Sequence, residues 1–135
     1  MEKKILVVDD EENIRDILSE AFTIAGFMVR TASSAEEALE IVKDEEFYVY
    51  FLDIKLPGMS GIRLFRGLKR AGRQGFFFAI TGNPSYLDEK NSIEIGFDYC
   101  FAKPFKLDEL IRTANWAFTN LHQRVRFYGG PSPDE

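Results

Sequence analysis

The apolar runs of this chain each stop at a polar residue, and that pattern constrains the fold more than any other feature. Ile5-Leu6-Val7-Val8 ends at Asp9-Asp10, and Val49-Tyr50-Phe51-Leu52 ends at Asp53. Phe76-Phe77-Phe78-Ala79-Ile80 ends at Thr81, and Phe101-Ala102 ends at Lys103-Pro104. Short continuous apolar runs between helical segments read as strands of a parallel sheet with both faces covered. If the strands are parallel, their polar ends emerge at one rim. Three carboxylates, a hydroxyl and an ammonium then converge on one place, a donor set suited to a divalent cation and a phosphoryl group.

The segments between the runs support that arrangement. Strands are expected at residues 4–9, 27–31, 48–53, 76–80 and 98–102. Ile14, Ile17, Leu18, Ala21, Phe22 and Ala25 recur at helical spacing, with Gly26 closing the helix. Ser34 with Glu37 forms a capping box for a second helix striped by Ala35, Ala38, Leu39 and Val42. Residues 54–60 read as a loop, after which a third helix runs to about Gly72. The segment from Asn83 to Gly96 has no continuous apolar stripe and should pack loosely. Leu107, Leu110, Ile111, Ala114, Ala117, Phe118 and Leu121 give the last helix the clearest stripe. In such a doubly wound sheet, ligands bind beyond the carboxyl ends of the strands. That rule selects Asp9, Asp10, Asp53, Thr81 and Lys103.

Bulk composition narrows the function classes. The 135 residues, 45% hydrophobic, suffice for one domain, expected over 1–125, and thirteen phenylalanines imply a bulky aromatic core. Residues 126–135, with two glycines, two prolines and an acidic end, read as a flexible tail or truncated linker. A formal net charge of −5 disfavours nucleic acid as a bulk electrostatic partner. No apolar stretch reaches the roughly 18–20 residues that span a bilayer. The start of the chain lacks signal-peptide architecture and there is one cysteine, Cys100, so a cytoplasmic location is expected. One Cys and one His make no zinc-ligand spacing.

Each rim residue also has a plain structural role. An acidic pair after a strand is often a helix N-cap, and a lone Asp at a strand end is often a turn residue. Thr in a Thr-Gly-Asn loop serves turn chemistry, and Lys before Pro sits on many surfaces. Their joint placement in one strand–helix series is what argues for chemistry. Crowded carboxylates need a proton or a hard cation, and oxygen ligands without imidazole or thiolate suit Mg²⁺ or Mn²⁺. Lys103 supplies a point charge, and Thr81 a donor to a phosphoryl oxygen.

These residues resemble those of the receiver domain of two-component response regulators. Val7-Val8-Asp9-Asp10-Glu11 is similar to the family's first-strand signature, and Leu52-Asp53-Ile54-Lys55-Leu56-Pro57-Gly58-Met59-Ser60-Gly61 to its phosphorylation loop. Ile80-Thr81-Gly82 resembles the switch-hydroxyl strand and Lys103-Pro104-Phe105 the lysine–proline motif. The match covers roughly residues 3–122. It implies a flavodoxin-like α/β fold: a five-stranded parallel sheet of order 2-1-3-4-5 with five helices on its two faces. It further implies that Asp53 accepts a phosphoryl group from a sensor histidine kinase or phosphotransfer protein, the chain catalysing only its own phosphorylation and dephosphorylation. Asp9, Asp10, Asp53 and the backbone carbonyl of Lys55 would hold Mg²⁺, with Mn²⁺ as a substitute. Lys103 would pair with the acceptor or the phosphoryl and precede a cis peptide bond. Thr81 would move toward the phosphoryl, and a homodimer through the fourth helix, fifth strand and fifth helix is a further implication. No direct nucleic-acid or membrane contact by this domain is expected.

One position departs from the family pattern. Three residues before the lysine, where an aromatic is usual, stands Cys100, flanked by Tyr99 and Phe101. Either Tyr99 substitutes through a register change, or coupling runs through the backbone alone; the second is expected. Lys55 and Asn83, two residues after Asp53 and Thr81, flank the path of an attacking water and would tune phosphoryl lifetime. Arg63, Arg66, Arg70 and Arg73 are expected to share one solvated face of the third helix. Trp116 lies off the stripe of the last helix, either as a partner anchor or half-buried against a neighbour. Cys100 reads as an inert core residue.

Two other classes use similar parts. An aspartyl-phosphate phosphohydrolase of haloacid dehalogenase type would carry two aspartates separated by one residue at the first strand end, and here they are adjacent. A flavodoxin-type cofactor binder would need a hydroxyl- and glycine-rich phosphate loop there, and Asp9-Asp10-Glu11-Glu12 would repel a phosphate. The output is open: the chain is a stand-alone receiver or the front of a longer regulator.

Overall fold

A computed structural model describes residues 2–82 and 86–125, and for residues 86–89 the backbone alone. Five strands, β1 (Lys4–Val8), β2 (Met28–Ala32), β3 (Val49–Asp53), β4 (Phe76–Thr81) and β5 (Tyr99–Ala102), form one parallel sheet of order β2-β1-β3-β4-β5. Between them run α1 (Glu12–Ile24), α2 (Ala35–Asp44), α3 (Gly61–Arg70), α4 (Tyr86–Ile95) and α5 (Leu107–Thr119). The expected flavodoxin-like fold and strand order are what the chain adopts.

Alternation along each strand divides the core in two. Leu6, Val8, Tyr50, Leu52, Phe77, Ala79 and Cys100 face α2 and α3, where Ala38, Leu64 and Leu68 meet them. Ile5, Val7, Phe51, Phe78, Ile80 and Phe101 face α1 and α5, against Leu18, Phe22, Leu110 and Ala114. The phenylalanines work in registered pairs. Tyr50 and Phe77, partners across β3 and β4, stack with centroids 4.3 Å apart, and on the other face Phe51 and Phe78 lie at 5.1 Å. Aromatic pairs of this kind add about 0.5–1.5 kcal/mol beyond the area they bury. Gly75 lets the chain enter β4: a Cβ there would lie 2.1 Å from the carbonyl oxygen of Tyr48.

Several expectations change in detail. The stripe ending at Leu121 spans two helices, because α5 stops at Thr119, Asn120 caps it, and a short α6 (Leu121–Arg124) follows. Six helices therefore lie among the described residues. Asn120 closes α5 by donating its backbone N–H to the carbonyls of Trp116 and Ala117 and its side-chain amide to Trp116 O, which apolar spacing does not reveal. In α2, Ser34 accepts from the N–H of Glu37 as expected, but the Glu37 carboxylate reaches the N–H and hydroxyl of Ser33, one residue earlier than a capping box requires. Ser33 offers two donors to the same oxygen and wins. Arg73 leaves the arginine face: α3 ends at Arg70, and Arg73 turns inward to donate to the carbonyl of Val42, while Arg63, Arg66 and Arg70 stay exposed. Among the described side chains of α4 the buried one is the polar Ser92, and Ile93 is half exposed, consistent with the missing stripe. Asn83 and the expected tail at 126–135 lie outside the described residues.

Candidate functional site

The carboxyl rim brings together the residues selected by the strand ends. Asp9 follows β1 directly and Asp53 closes β3, side by side through the pairing of Val8 with Leu52. Both loops leave the rim by the same device. Asp9 Oδ1 accepts the N–H of Glu11 at 2.9 Å, and Asp53 Oδ1 accepts the N–H of Lys55 at 2.9 Å. An aspartate bonded to the backbone two residues on fixes both the turn and its own carboxylate. The plain turn role and the chemical role therefore coexist in the same side chains. Arg15 of α1 donates to the carbonyl of Asp9 at 2.8 Å, which secures the first turn from the helix side.

The phosphorylation-type loop needs one glycine for packing. Gly61, first residue of α3, lies so close to β3 that a Cβ would sit 1.9 Å from the carbonyl oxygen of Asp53. Its N–H bonds the carbonyl of Ile54 at 3.2 Å, and Ser60 caps α3 by accepting from Arg63 N–H. The loop from 54 to 60 is thereby tied at both ends, with Asp53 held at its start.

Lys103 reaches the site from the far side of β5. Its N–H donates to the carbonyl of Thr81 at 2.8 Å, and its peptide bond to Pro104 is cis, as the resemblance implied. Its ammonium lies 2.7 Å from Glu11 Oε2, 2.8 Å from Asp9 Oδ2 and 3.1 Å from Asp53 Oδ2. The contacts to Glu11 and Asp53 are hydrogen bonds. That to Asp9 is ionic only, so the fully buried Oδ2 of Asp9 keeps a lone pair without a hydrogen bond. Burial alone would lower the Lys103 affinity for its proton, but its contacts to Asp9, Glu11 and Asp53 outweigh it and hold the ammonium above the ordinary lysine range. Asp53 moves the opposite way for a carboxylate in an ion pair. Burial pushes its pKa up, and the Lys55 N–H and Lys103 only partly offset that.

Three carboxylates with one ammonium leave the site short of positive charge. Asp9, Asp10 and Asp53 each present a carboxylate oxygen, all within 4.8 Å of one another, with Asp10 exposed at the mouth. An oxygen-only set, in which the buried Asp9 Oδ2 lacks a hydrogen bond, fits a hard cation such as Mg²⁺. Thr81 ends β4, buried, one residue beyond Ile80, the partner of Asp53.

Sequence reasoning named Asp9, Asp10, Asp53, Thr81, Lys103 and Lys55, and all are at this rim. It gave Glu11 no role. Its contact with Lys103 spans 92 positions in the chain, and no local pattern announces it. At β5 the register runs unbroken from Phe78 opposite Tyr99 to Thr81 opposite Ala102. Cys100 is thus buried beside Ala79, while Tyr99 points to the other face, exposed and edge-on to Phe101 at 4.9 Å. Tyr99 does not take the place of the missing aromatic. Trp116 combines both of its expected roles: it is half exposed, yet meets Phe76 edge-on at 5.1 Å.

Comparison with known proteins agrees with this geometry. The family model described as "Response regulator receiver domain" matches residues 5–115. The uncharacterized transcriptional regulatory protein YrkP of Bacillus subtilis is 37% identical over 110 residues, 82% of this chain and 47% of its own length. The chain thus spans about half of that relative. The sporulation initiation phosphotransferase F of the same organism is 36% identical over 110 residues, 82% of this chain and 89% of its own. A receiver domain protein of Methanospirillum hungatei superposes with a TM-score of 0.80 at 29% identity, covering 91% of this chain and 98% of its own. The chain belongs to the response regulator receiver domain family, a family of phosphorylation-dependent signalling modules rather than of enzymes acting on separate substrates.

Proposed function

We propose that residues 1–125 form a receiver in which Asp53 is the phosphoacceptor, supplied by a sensor histidine kinase or a phosphotransfer protein. The observation that carries this is the placement of Asp53: buried, fixed through Oδ1 by the Lys55 N–H, and aimed through Oδ2 at Lys103. In the transfer, an Asp53 carboxylate oxygen bonds to phosphorus as the phosphorus–nitrogen bond of the donor's phosphohistidine breaks. The electron pair leaves with the imidazole nitrogen, so no further co-reactant is needed.

The chain's own groups have distinct tasks in that step. The Lys55 N–H orients the acceptor. Lys103 offers charge to the phosphoryl oxygens, and Thr81 offers a hydroxyl to them. Mg²⁺, or Mn²⁺ in its place, would be held by Asp9, Asp10, Asp53 and the backbone carbonyl of Lys55, and when bound it neutralises the charge of the moving group. The hydrogen bond from Lys103 N–H to Thr81 O supports a switch transmitted along the backbone, because the residue that senses the phosphoryl and the residue that pairs with it share a peptide contact.

A homodimer or partner contact through α4, β5 and α5 has support at the β5 edge. A groove of about 720 Å³ there is lined by Tyr99, Phe101 and Trp116, with positive charge from Arg112 and Arg124 and negative charge from Asp98 and Glu109. No helix among the described residues is long and apolar enough to cross a membrane, and a cytoplasmic location is part of the same proposal. Incubation with Mg²⁺ and acetyl phosphate tests the whole reading. The expected result is a mass increment of one phosphoryl group on Asp53, absent in Asp53→Ala. Rapid phosphate release with no accumulation would instead favour a phosphohydrolase.

A further inference from the structure

We infer that Glu11 is a positioning residue for Lys103, holding its ammonium in the unphosphorylated chain and competing for it with phosphoryl oxygens on Asp53. The inference rests on Asp53 being the phosphoacceptor. Asp9, Glu11 and Asp53 surround the Lys103 Nζ within 3.1 Å, Glu11 and Asp53 as hydrogen-bond acceptors and Asp9 as an ionic contact. Glu11 makes the shortest of the three contacts, at 2.7 Å, and Asp53 the longest, at 3.1 Å. A phosphoryl group turns the Asp53 carboxylate into an acyl phosphate whose new acceptor oxygens draw the ammonium toward them, so of the contacts to Asp9 and Glu11 one gives way.

Exposure decides which one. The Asp9 and Asp53 side chains are 0% and 5% exposed, whereas that of Glu11 is 52% exposed. Detaching Lys103 from the buried Asp9 leaves a carboxylate stranded away from water, which is the costly way to break an ion pair. Glu11 can let go and be solvated at once. Its backbone has no such freedom: the N–H bonds Asp9 Oδ1, and the carbonyl accepts from Ile14 and Arg15 at the head of α1. Release is therefore a side-chain rotation that leaves the turn and helix in place. The rim carries its own counter-ligand for the lysine, and that ligand lowers the affinity for a phosphoryl group by the strength of one exposed ion pair.

A plain alternative is that Glu11 acts only by its field, its negative charge repelling a phosphoryl group at a distance. A double-mutant cycle separates the two. With Mg²⁺ and beryllofluoride as the phosphoryl mimic, Glu11→Ala should tighten binding about two- to fivefold, the worth of an exposed pair. In a Lys103→Met background the same substitution should change nothing. An equal gain in both backgrounds, or none in either, would overturn the inference. The metal-free protein gives a second readout, the ¹H–¹⁵N signal of the Lys103 ammonium, identified by its loss in Lys103→Met. Shielded by three carboxylates, it should be visible in the wild type and broaden in Glu11→Ala, then return when beryllofluoride binds. An ammonium signal indifferent to Glu11→Ala would overturn the clamp. Failure of the wild type to bind beryllofluoride while the ammonium signal still responds to Glu11→Ala would sink the acceptor reading and the competition, and leave the clamp as found.

Discussion

The two halves of the carboxyl rim are built on different principles. On the β1–β3 side, the two buried carboxylates are each fixed by a backbone N–H two residues further on: Glu11 for Asp9, Lys55 for Asp53. On the β4–β5 side, nothing so local operates. Thr81 and Lys103 are joined by a backbone hydrogen bond across 22 positions of chain separation (103 − 81), and Cys100 is placed by sheet register. The first half is set by short-range chemistry and the second by tertiary packing. On the proposed function, acceptance of a phosphoryl group falls to the half held by local turns, and transmission to the half held by sheet register.

The largest expected effect tests how rigid the acceptor half is. Gly61→Ala places a Cβ 1.9 Å from the Asp53 carbonyl oxygen, a backbone atom that has no rotamer to escape into. Overpacking against backbone should cost about 3 kcal/mol or more. Chemical denaturation should show it, and phosphorylation of Asp53 from acetyl phosphate should fall with it. A variant as stable as the wild type would mean that the loop after β3 is not held as tightly as the turn chemistry suggests.

Next in size is Lys103→Met, which removes the one cation that bridges the halves. Asp9 and Asp53 are then buried without a counter-charge, and stability at neutral pH should drop by about 3 kcal/mol. The sign of the pH dependence follows from the carboxylates. Burial raises the Asp53 pKa, so as pH falls and Asp53 protonates the deficit should shrink, and added Mg²⁺ should shrink it at constant pH. In the wild type, the Lys103 contribution is complete below the ordinary lysine pKa of 10.5 and is lost as pH rises past its elevated value. Thermal melts of both proteins across the pH range check the whole pattern. A deficit independent of pH and Mg²⁺ would assign the loss to packing of the lysine stem instead.

Asp53→Asn should act in the opposite direction. Burial raises the Asp53 pKa above its ordinary 3.8, so the unfolded chain gives up this proton first as pH rises. The native state then bears a penalty that begins near the ordinary value and is complete above the raised one. The asparagine variant should melt about 2–4 °C higher than the wild type at pH 7, in the absence of metal, and no higher near pH 3. A lower melting point at pH 7 would mean that the ion pair with Lys103 outweighs the burial.

How much of this was legible follows the same division. The strands, their order and the rim could be read because continuous apolar runs and strand-end polar residues are local signals. Asp9, Asp53 and Lys103 came with them. Glu11 could not, since its significance lies in a lysine far along the chain. The break at Asn120 was hidden because Leu121 keeps the apolar spacing of α5 while the backbone turns beneath it. Arg73 looked like one more surface cation until the end of α3 at Arg70 turned it toward Val42. The side of the sheet that Cys100 and Tyr99 occupy depended on an unbroken β4–β5 register, which spacing suggests and only strand pairing fixes.

The smallest structural effect bears on transmission. Cys100 is a buried residue beside Ala79 in the core under α3, and Tyr99 on the opposite face is in no position to replace a larger ring there. If the signal passes from Thr81 to Lys103 through their shared peptide contact, the Cys100 side chain is dispensable to it. Cys100→Ala removes only a small buried group, so stability should fall by about 1 kcal/mol or less, and the phosphorylation response should be retained. Thr81→Ala should leave the fold intact and weaken that response, seen as smaller amide chemical-shift changes in β4, β5 and α5 when beryllofluoride binds. Equal damage from both substitutions would place the side chain of Cys100 in the switch and move the flexible half of the rim from backbone to core packing. Damage from Thr81→Ala alone confines the readout to the rim, where one hydroxyl and one peptide hydrogen bond suffice to report the state of Asp53.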